Sequence, residues 1–215
     1  MDDIVAPTAT RSTSTGTGTS TGTRTATGTG AGTKAIRQPV RIASSMLVRA
    51  LLPATRYILR GGPDVMNAAG RALALSLSQI ACRAATGATS GLAALWLGPD
   101  EQLLLGPEAS DIGAALQSAL RDLPHSLVDV SHRQAAFEVS GPRSPLLLNA
   151  GCPLDLDPSA FPVGMCTRTV LAKAEIVLWR TGQDVFHIEV WRSFADYVSR
   201  FLAEVAREIG TQENL

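Results

Sequence analysis

TVLAKAEIVLWRTGQDVFHIEVW, residues 169–191, is the stretch on which the fold turns. From Thr169 to Arg180 the alternation predicts one strand, and VFHIEVW, 185–191, predicts a second. Gly182-Gln183 between them suits a tight hairpin turn. With that turn Trp179 falls opposite Phe186 and Val177 opposite Ile188. One face then carries Val177, Trp179, Phe186, Ile188 and Val190, a core face. The other carries Leu178, Arg180, His187, Glu189 and Trp191, a mixed face able to meet solvent.

Immediately upstream, 151–168 (GCPLDLDPSAFPVGMCTR) is punctuated by proline and glycine and reads as a rigid connection into the hairpin. Its Leu154 and Leu156 would point inward, and Asp155 and Asp157 outward as turn formers. Downstream, Ser193 and Asp196 give an S-x-x-D capping pattern. Phe194, Tyr197, Val198, Phe201, Leu202, Val205 and Ile209 then lay one apolar stripe along a helix that stops at Gly210.

Further back, TRYILR (55–60) reads as a strand stopped by Gly61-Gly62, and Pro63 opens a helix that continues through VMNAAGRALALSL. Residues 85–91 read as a loop. LAALWLG and EQLLLG form a hairpin across Pro99-Asp100, and Ser110 and Asp111 cap a helix that runs to Leu123. SLVDVSH (126–132) and QAAFEVSG (134–141) are the next two strands. A short helix from Pro142 is closed by Gly151. Antiparallel strands interleaved with helices define an α+β fold, a mostly antiparallel sheet with helices packed on it.

Residues 8–33 contain only Thr, Ser, Gly, Ala and Arg, so they offer nothing to bury against the entropy of ordering. The expected organisation is a disordered leader over 1–40, a single α+β domain over 41–210 and a tail over 211–215. Arg11, Arg24, Lys34, Arg37 and Arg41 with no acid from Ile4 to Pro63 resemble a transit peptide in composition. The Met1-Asp2-Asp3 start and the Thr/Gly alternation favour a solvated tail instead. Over 215 residues the formal charge is zero, so the balance recruits neither nucleic acid nor an anionic membrane. No uncharged apolar run is long enough for a membrane helix. Three cysteines, Cys82, Cys152 and Cys166, without CxxC fit a reducing cytoplasm better than a disulfide framework.

Candidate chemistry is thin. Cys152, Cys166, His187 and Asp155 lack the close ligand pairs of a structural zinc site. Cys166 with His187 and Asp184 lacks a nucleophile elbow or a helix N-terminus to activate the thiol. Asp155 and Asp157 are turn formers as readily as an acid and base. Neither Gly61-Gly62 nor the glycines of 87–91 make a phosphate loop. His125 and His132 flank a strand and read as hydrogen-bonded structural residues. Trp96, Trp179 and Trp191, with abundant arginine, are the residue types of interface hot spots, although Trp179 reads as core. No catalytic, cofactor-binding or metal residue is therefore expected.

In order along the chain, ALWLGPDEQLLLGP, LVDVSHRQAAFEVSGP, NAGCPLDLDPSAFPVGMCTRTVLAKAEIVLWR and FHIEVWRSFADYV resemble the gamma subunits of heterotetrameric sarcosine oxidase, over about 55–208. That resemblance implies an accessory subunit of a complex that demethylates sarcosine oxidatively to glycine, yields hydrogen peroxide and transfers a one-carbon unit to tetrahydrofolate. It implies FAD, FMN and NAD in the alpha and beta subunits, zinc in delta, and direct contact of this chain with alpha. More widely, DVSH and the elements after it are similar to the folate-binding part of the aminomethyltransferase (glycine-cleavage T-protein) family. The alternative that this implies is folate binding or one-carbon transfer through the Asp155 loop. Here that loop reads Cys-Pro-Leu-Asp, without the asparagine of that family's segment, while Glu175 stands near its paired aspartates; the site is not carried over.

Overall fold

The computed structural model describes residues 40–43, 46–77 and 79–211. The expected leader, up to residue 39, and residues 212–215 lie outside the described residues. Among those described, the strands form two antiparallel sheets.

The six-stranded sheet runs β1 (Val40–Ala43), β2 (Met46–Ala50), β8 (Gln134–Ser140), β11 (Val185–Trp191), β10 (Ala174–Gly182), β9 (Cys166–Leu171). The five-stranded sheet runs β4 (Ala84–Thr86), β5 (Ala93–Gly98), β6 (Glu101–Pro107), β3 (Ala54–Gly61), β7 (His125–Asp129). Helices α1 (Pro63–Leu73) and α2 (Ile112–Ala119) pack on the five-stranded sheet. Helices α3 (Ser144–Asn149) and α4 (Ala195–Thr211) pack on the six-stranded one.

Strand alternation produces this layering. In β6, Leu103 and Leu105 face the other sheet while Leu104 faces α1 and α2. In β10, Val177 and Trp179 enter the space between the sheets, while Ile176 and Leu178 face α3 and α4. Both faces are covered, so these strands read as continuous apolar runs. Each fully buried leucine contributes about 1.5–3 kcal/mol. On α4, Ala195, Val198, Leu202, Ala206 and Ile209 face the core, close to the predicted stripe, while Phe194 and Tyr197 stay partly exposed. Small residues set the helix approach: a Cβ at Gly113 of α2 would lie 2.3 Å from the Tyr57 hydroxyl of β3.

The structure corrects several expectations. SLVDVSH and QAAFEVSG do not pair; β7 and β8 belong to different sheets. Residues 84–86 form a strand, not loop. The helix from Pro63 ends at Leu73, where Ala74 turns left-handed at φ 51, and α2 ends at Ala119. Asp111 stands at the α2 N-cap but makes no capping bond there. Ser193 lies inside a 3-10 turn, Arg192–Phe194, that precedes α4, so it does not cap that helix as expected.

The stretch 169–191 is a meander of three strands. The first run is broken by a two-residue turn at Ala172-Lys173, with Ala172 at φ 52. That position lacks the Gly or Asn that would advertise it. At the second turn the register slips by one residue. The turn is Gln183-Asp184, Gly182 pairs with Val185, and a bulge between Arg180 and Gly182 puts Arg180 opposite Phe186. Leu178 then faces Ile188, and Trp179 faces His187. A single-residue slip inverts a strand, so Arg180 sits in the core and Trp179 lies beside His187 and Glu189.

Candidate functional site

A polar buried cluster lies between the sheets. Arg56 of β3 and Glu189 of β11 are 2% and 1% exposed. Arg56 donates from Nε to Glu189 Oε2 at 2.7 Å and from Nη2 to Oε1 at 3.1 Å. Its Nη1 donates to Ala54 O at 3.1 Å. His187 Nε2 lies 2.8 Å from Glu189 Oε1, and the Trp179 ring is centred 5.7 Å from the imidazole. Planar bidentate pairing is the geometry that best offsets the desolvation of both ions.

Clefts open beside this cluster. One of about 610 Å³ has Glu189, Val177 and Val130 in its lining and Val128, Val170 and Trp191 as exposed apolar residues. Arg133 sits 5.4 Å from the centre of the Trp191 ring, a cation–π contact. A second, of about 400 Å³, is lined by His187, Glu189, Trp179 and the glycines of 87 and 91. The Trp179 Nε1–H is buried without a hydrogen-bond partner among the described residues.

A second polar knot holds the 151–165 connection. Arg180 is 1% exposed and, among the described residues, meets no carboxylate at hydrogen-bond distance. Its Nη1 donates to Leu156 O at 3.1 Å and Phe161 O at 2.8 Å, and its Nε to Gln183 O at 3.0 Å. Its guanidinium lies 5.0 Å from the centre of the Phe186 ring. Gly151 lets the connection pass close to α4, since a Cβ there would meet Phe201 Cζ at 2.7 Å.

The residues singled out in the sequence are distributed as follows. Cys152 and Cys166 lie on opposite faces of the six-stranded sheet, in different cores. Cys166 is fully buried, its Sγ–H donates to Trp96 O at 3.7 Å, and burial pushes its thiol up to about 12. It pairs with Trp179, which pairs with His187. The thiol and the imidazole thus stand two strands apart, about 10 Å, with an indole between. Asp184 uses its backbone carbonyl, accepting from Gly141 N and Ser144 Oγ. Neither the metal quartet nor the thiol triad that the sequence argued against is brought together among the described residues.

Asp155 Oδ1 accepts from Asp157 N at 2.9 Å, and Asp157 Oδ1 accepts from Ser159 N at 2.9 Å and Ser159 Oγ at 2.6 Å. The Ser159 bonds hold the Asp157 carboxyl below its ordinary value. Leu156 is buried and both aspartates are exposed, as the alternation implies. His125 Nδ1 contacts Leu123 O at 2.8 Å, His132 is exposed, and Glu175 is exposed on the wall of the larger cleft. Arg56, Glu189 and Arg180 are the residues that sequence reasoning missed. The only signal was a charged side chain inside a strong strand pattern.

Residues 60–208 match the model of the family described as "Sarcosine oxidase, gamma subunit family". The chain is 39% identical over 126 residues to a sarcosine oxidase subunit gamma of Corynebacterium sp. (strain P-1), covering 59% of this chain and 62% of that one. It is 35% identical over 171 residues to the Arthrobacter sp. subunit gamma, covering 79% and 84%. The match thus spans about three fifths of the Corynebacterium relative's length. A solved heterotetrameric sarcosine oxidase from Corynebacterium sp. U-96 contains a chain that superposes with TM-score 0.73 at 32% identity, over 77% of this chain and 85% of that one. Aminomethyltransferase T of Bartonella henselae superposes with TM-score 0.58 at 13% identity over 77% of this chain, a likeness of fold alone.

Proposed function

The chain belongs to the sarcosine oxidase gamma subunit family, and on that premise we propose that it is the accessory, non-catalytic gamma subunit of a cytoplasmic heterotetrameric sarcosine oxidase. In this reading the assembled enzyme demethylates sarcosine oxidatively to glycine, reduces oxygen to hydrogen peroxide and passes the one-carbon unit to tetrahydrofolate. FAD, FMN and NAD belong to the alpha and beta subunits, zinc to delta, and this chain packs against alpha.

One observation carries the reading. Among the described residues, the charged side chains buried inside this chain are engaged in holding its own fold. Glu189 is bound by Arg56 and His187, Arg180 by backbone carbonyls, and Cys166 is buried as a thiol. Catalytic groups are kept free to meet a substrate and are poised near the working pH. The exposed Trp191, Val128 and Val170 supply the apolar and aromatic surface that a partner subunit covers. Among the described residues no helix is long and apolar enough to cross a membrane.

Co-expression with the neighbouring genes followed by native mass spectrometry tests the assembly, and a four-subunit species containing this chain is expected. Purified alone, the chain is expected to be colourless and to make no peroxide from sarcosine. A yellow, active single chain would refute the proposal.

A further inference from the structure

Two of the three cysteines meet where the sheets join. Arg83 bridges Met165 in antiparallel fashion, Ala84 N donates to Gly164 O at 2.8 Å, and Cys166 N donates to Cys82 O at 3.0 Å. Cys82 lies one residue before the bridge, in a turn rather than a strand, and that backbone bond sets it against Cys166. Residues joined across two chain segments by a backbone N–H···O bond have Cα atoms on the order of 5.5 Å apart. That lies inside the window of about 4.4–6.8 Å that a disulfide spans. The thiols are near enough for a charge on Cys82 to be felt by Cys166.

We infer that Cys82 and Cys166 are a peroxide-responsive dithiol that closes to a disulfide tying the turn before β4 to the edge strand β9. The two members differ in a way that orders the chemistry. Cys82 is partly exposed, while Cys166 is 0% exposed. Cys82 also holds φ 58, a left-handed conformation uncommon outside glycine, and such local strain concentrates at functional positions.

Cys82 is the first to react. Its sulfur attacks the O–O bond of hydrogen peroxide, giving a sulfenic acid and one water. Cys166 then attacks that sulfur, the S–S bond forms, and hydroxide leaves and takes up the Cys166 proton as a second water. Two thiols lose two electrons and one peroxide becomes two waters. Only the local supply of peroxide rests on the functional reading above; the opposition of the thiols does not.

The test is mass spectrometry on the full chain, reduced and then exposed to hydrogen peroxide, with free thiols alkylated before peptide mapping. A loss of about 2 Da per chain, a Cys82–Cys166 linked peptide and full reversal by dithiothreitol are expected. Cys82→Ser and Cys166→Ser each abolish the link, and Cys152→Ser leaves it intact. A wild-type chain that gains about 32 Da at Cys82 as sulfinic acid with Cys166 still free, that links through Cys152 or between chains, or that does not react overturns the inference. These outcomes are read on wild type, so they do not depend on any variant folding. Linkage with added peroxide in an assembly that makes no peroxide from sarcosine would sink the functional reading and leave the dithiol standing. The converse would sink the dithiol alone.

Discussion

Among the described residues two arginines are buried almost completely, and the surroundings of each solve the problem of a buried charge differently. Arg56 meets a carboxylate 133 residues away, and the pair links one sheet to the other. Arg180 meets backbone carbonyls, all within 24 residues, and organises a loop. A buried ion must be compensated by an opposite charge or by aimed dipoles. The carboxylate makes the sheet-to-sheet link dependent on both partners at once. The carbonyl cage makes the 151–165 connection dependent on one side chain.

The largest effect is expected from Glu189→Leu, which strands Arg56 and leaves His187 without its acceptor. Removing one member of a buried pair costs about 3–5 kcal/mol, read as a lowered urea midpoint. Replacing both, with Arg56→Met and Glu189→Leu together, recovers most of that loss. If the single and double variants unfold alike, the pair does not couple the sheets.

Arg180→Met comes next, at about 2–3 kcal/mol, because several buried carbonyls lose a charged donor. Its mark is local: limited proteolysis opens within 151–165 before the rest of the chain. Uniform destabilisation with no new cleavage there would contradict the role given to the cage.

Arg49→Ala isolates burial as the variable. Arg49 forks Glu138 at 2.9 and 3.0 Å, much as Arg56 forks Glu189, but its side chain is 47% exposed. A loss of only about 0.2–1 kcal/mol is expected, shrinking further in high salt; a larger loss would mean that the fork geometry outweighs burial.

At neutral pH Cys166→Ala has the smallest ionisation-linked effect, and its signature is alkaline. Its thiol is raised to about 12 in the folded chain against about 8.5 unfolded. The unfolded chain therefore releases the proton first. The stability tied to the protonated thiol is complete below about pH 8.5 and is lost as pH rises toward 12. Denaturation curves across that window flatten in the variant if the inter-sheet space is as dry as Arg56 and Glu189 require.

Much of the fold was legible because its signals are local. The 3.6-residue stripe from Val198 to Ile209, the Pro99-Asp100 hairpin and Pro63 at a helix start need no knowledge of distant neighbours. The turn at Ala172-Lys173 was not legible, since alanine and lysine carry no turn signal; Ala172 is left-handed there and its N–H donates to Gly151 O. The same holds for the backbone bond from Cys166 N to Cys82 O, a contact between residues 84 apart in the chain.

Sequence alone determined the α+β class, most of the elements and the family likeness, because periodicity, turn residues such as Pro63 and Pro99-Asp100, and a long specific word string are written in adjacent residues. Tertiary structure decided that there are two sheets rather than one. It also decided that one bulge inverts β10, and that Glu189, Arg56 and Arg180 are buried rather than solvated. The physical reason is the period of a strand. A side chain's face depends on a single residue of register, and that register was fixed by partners far away in the chain.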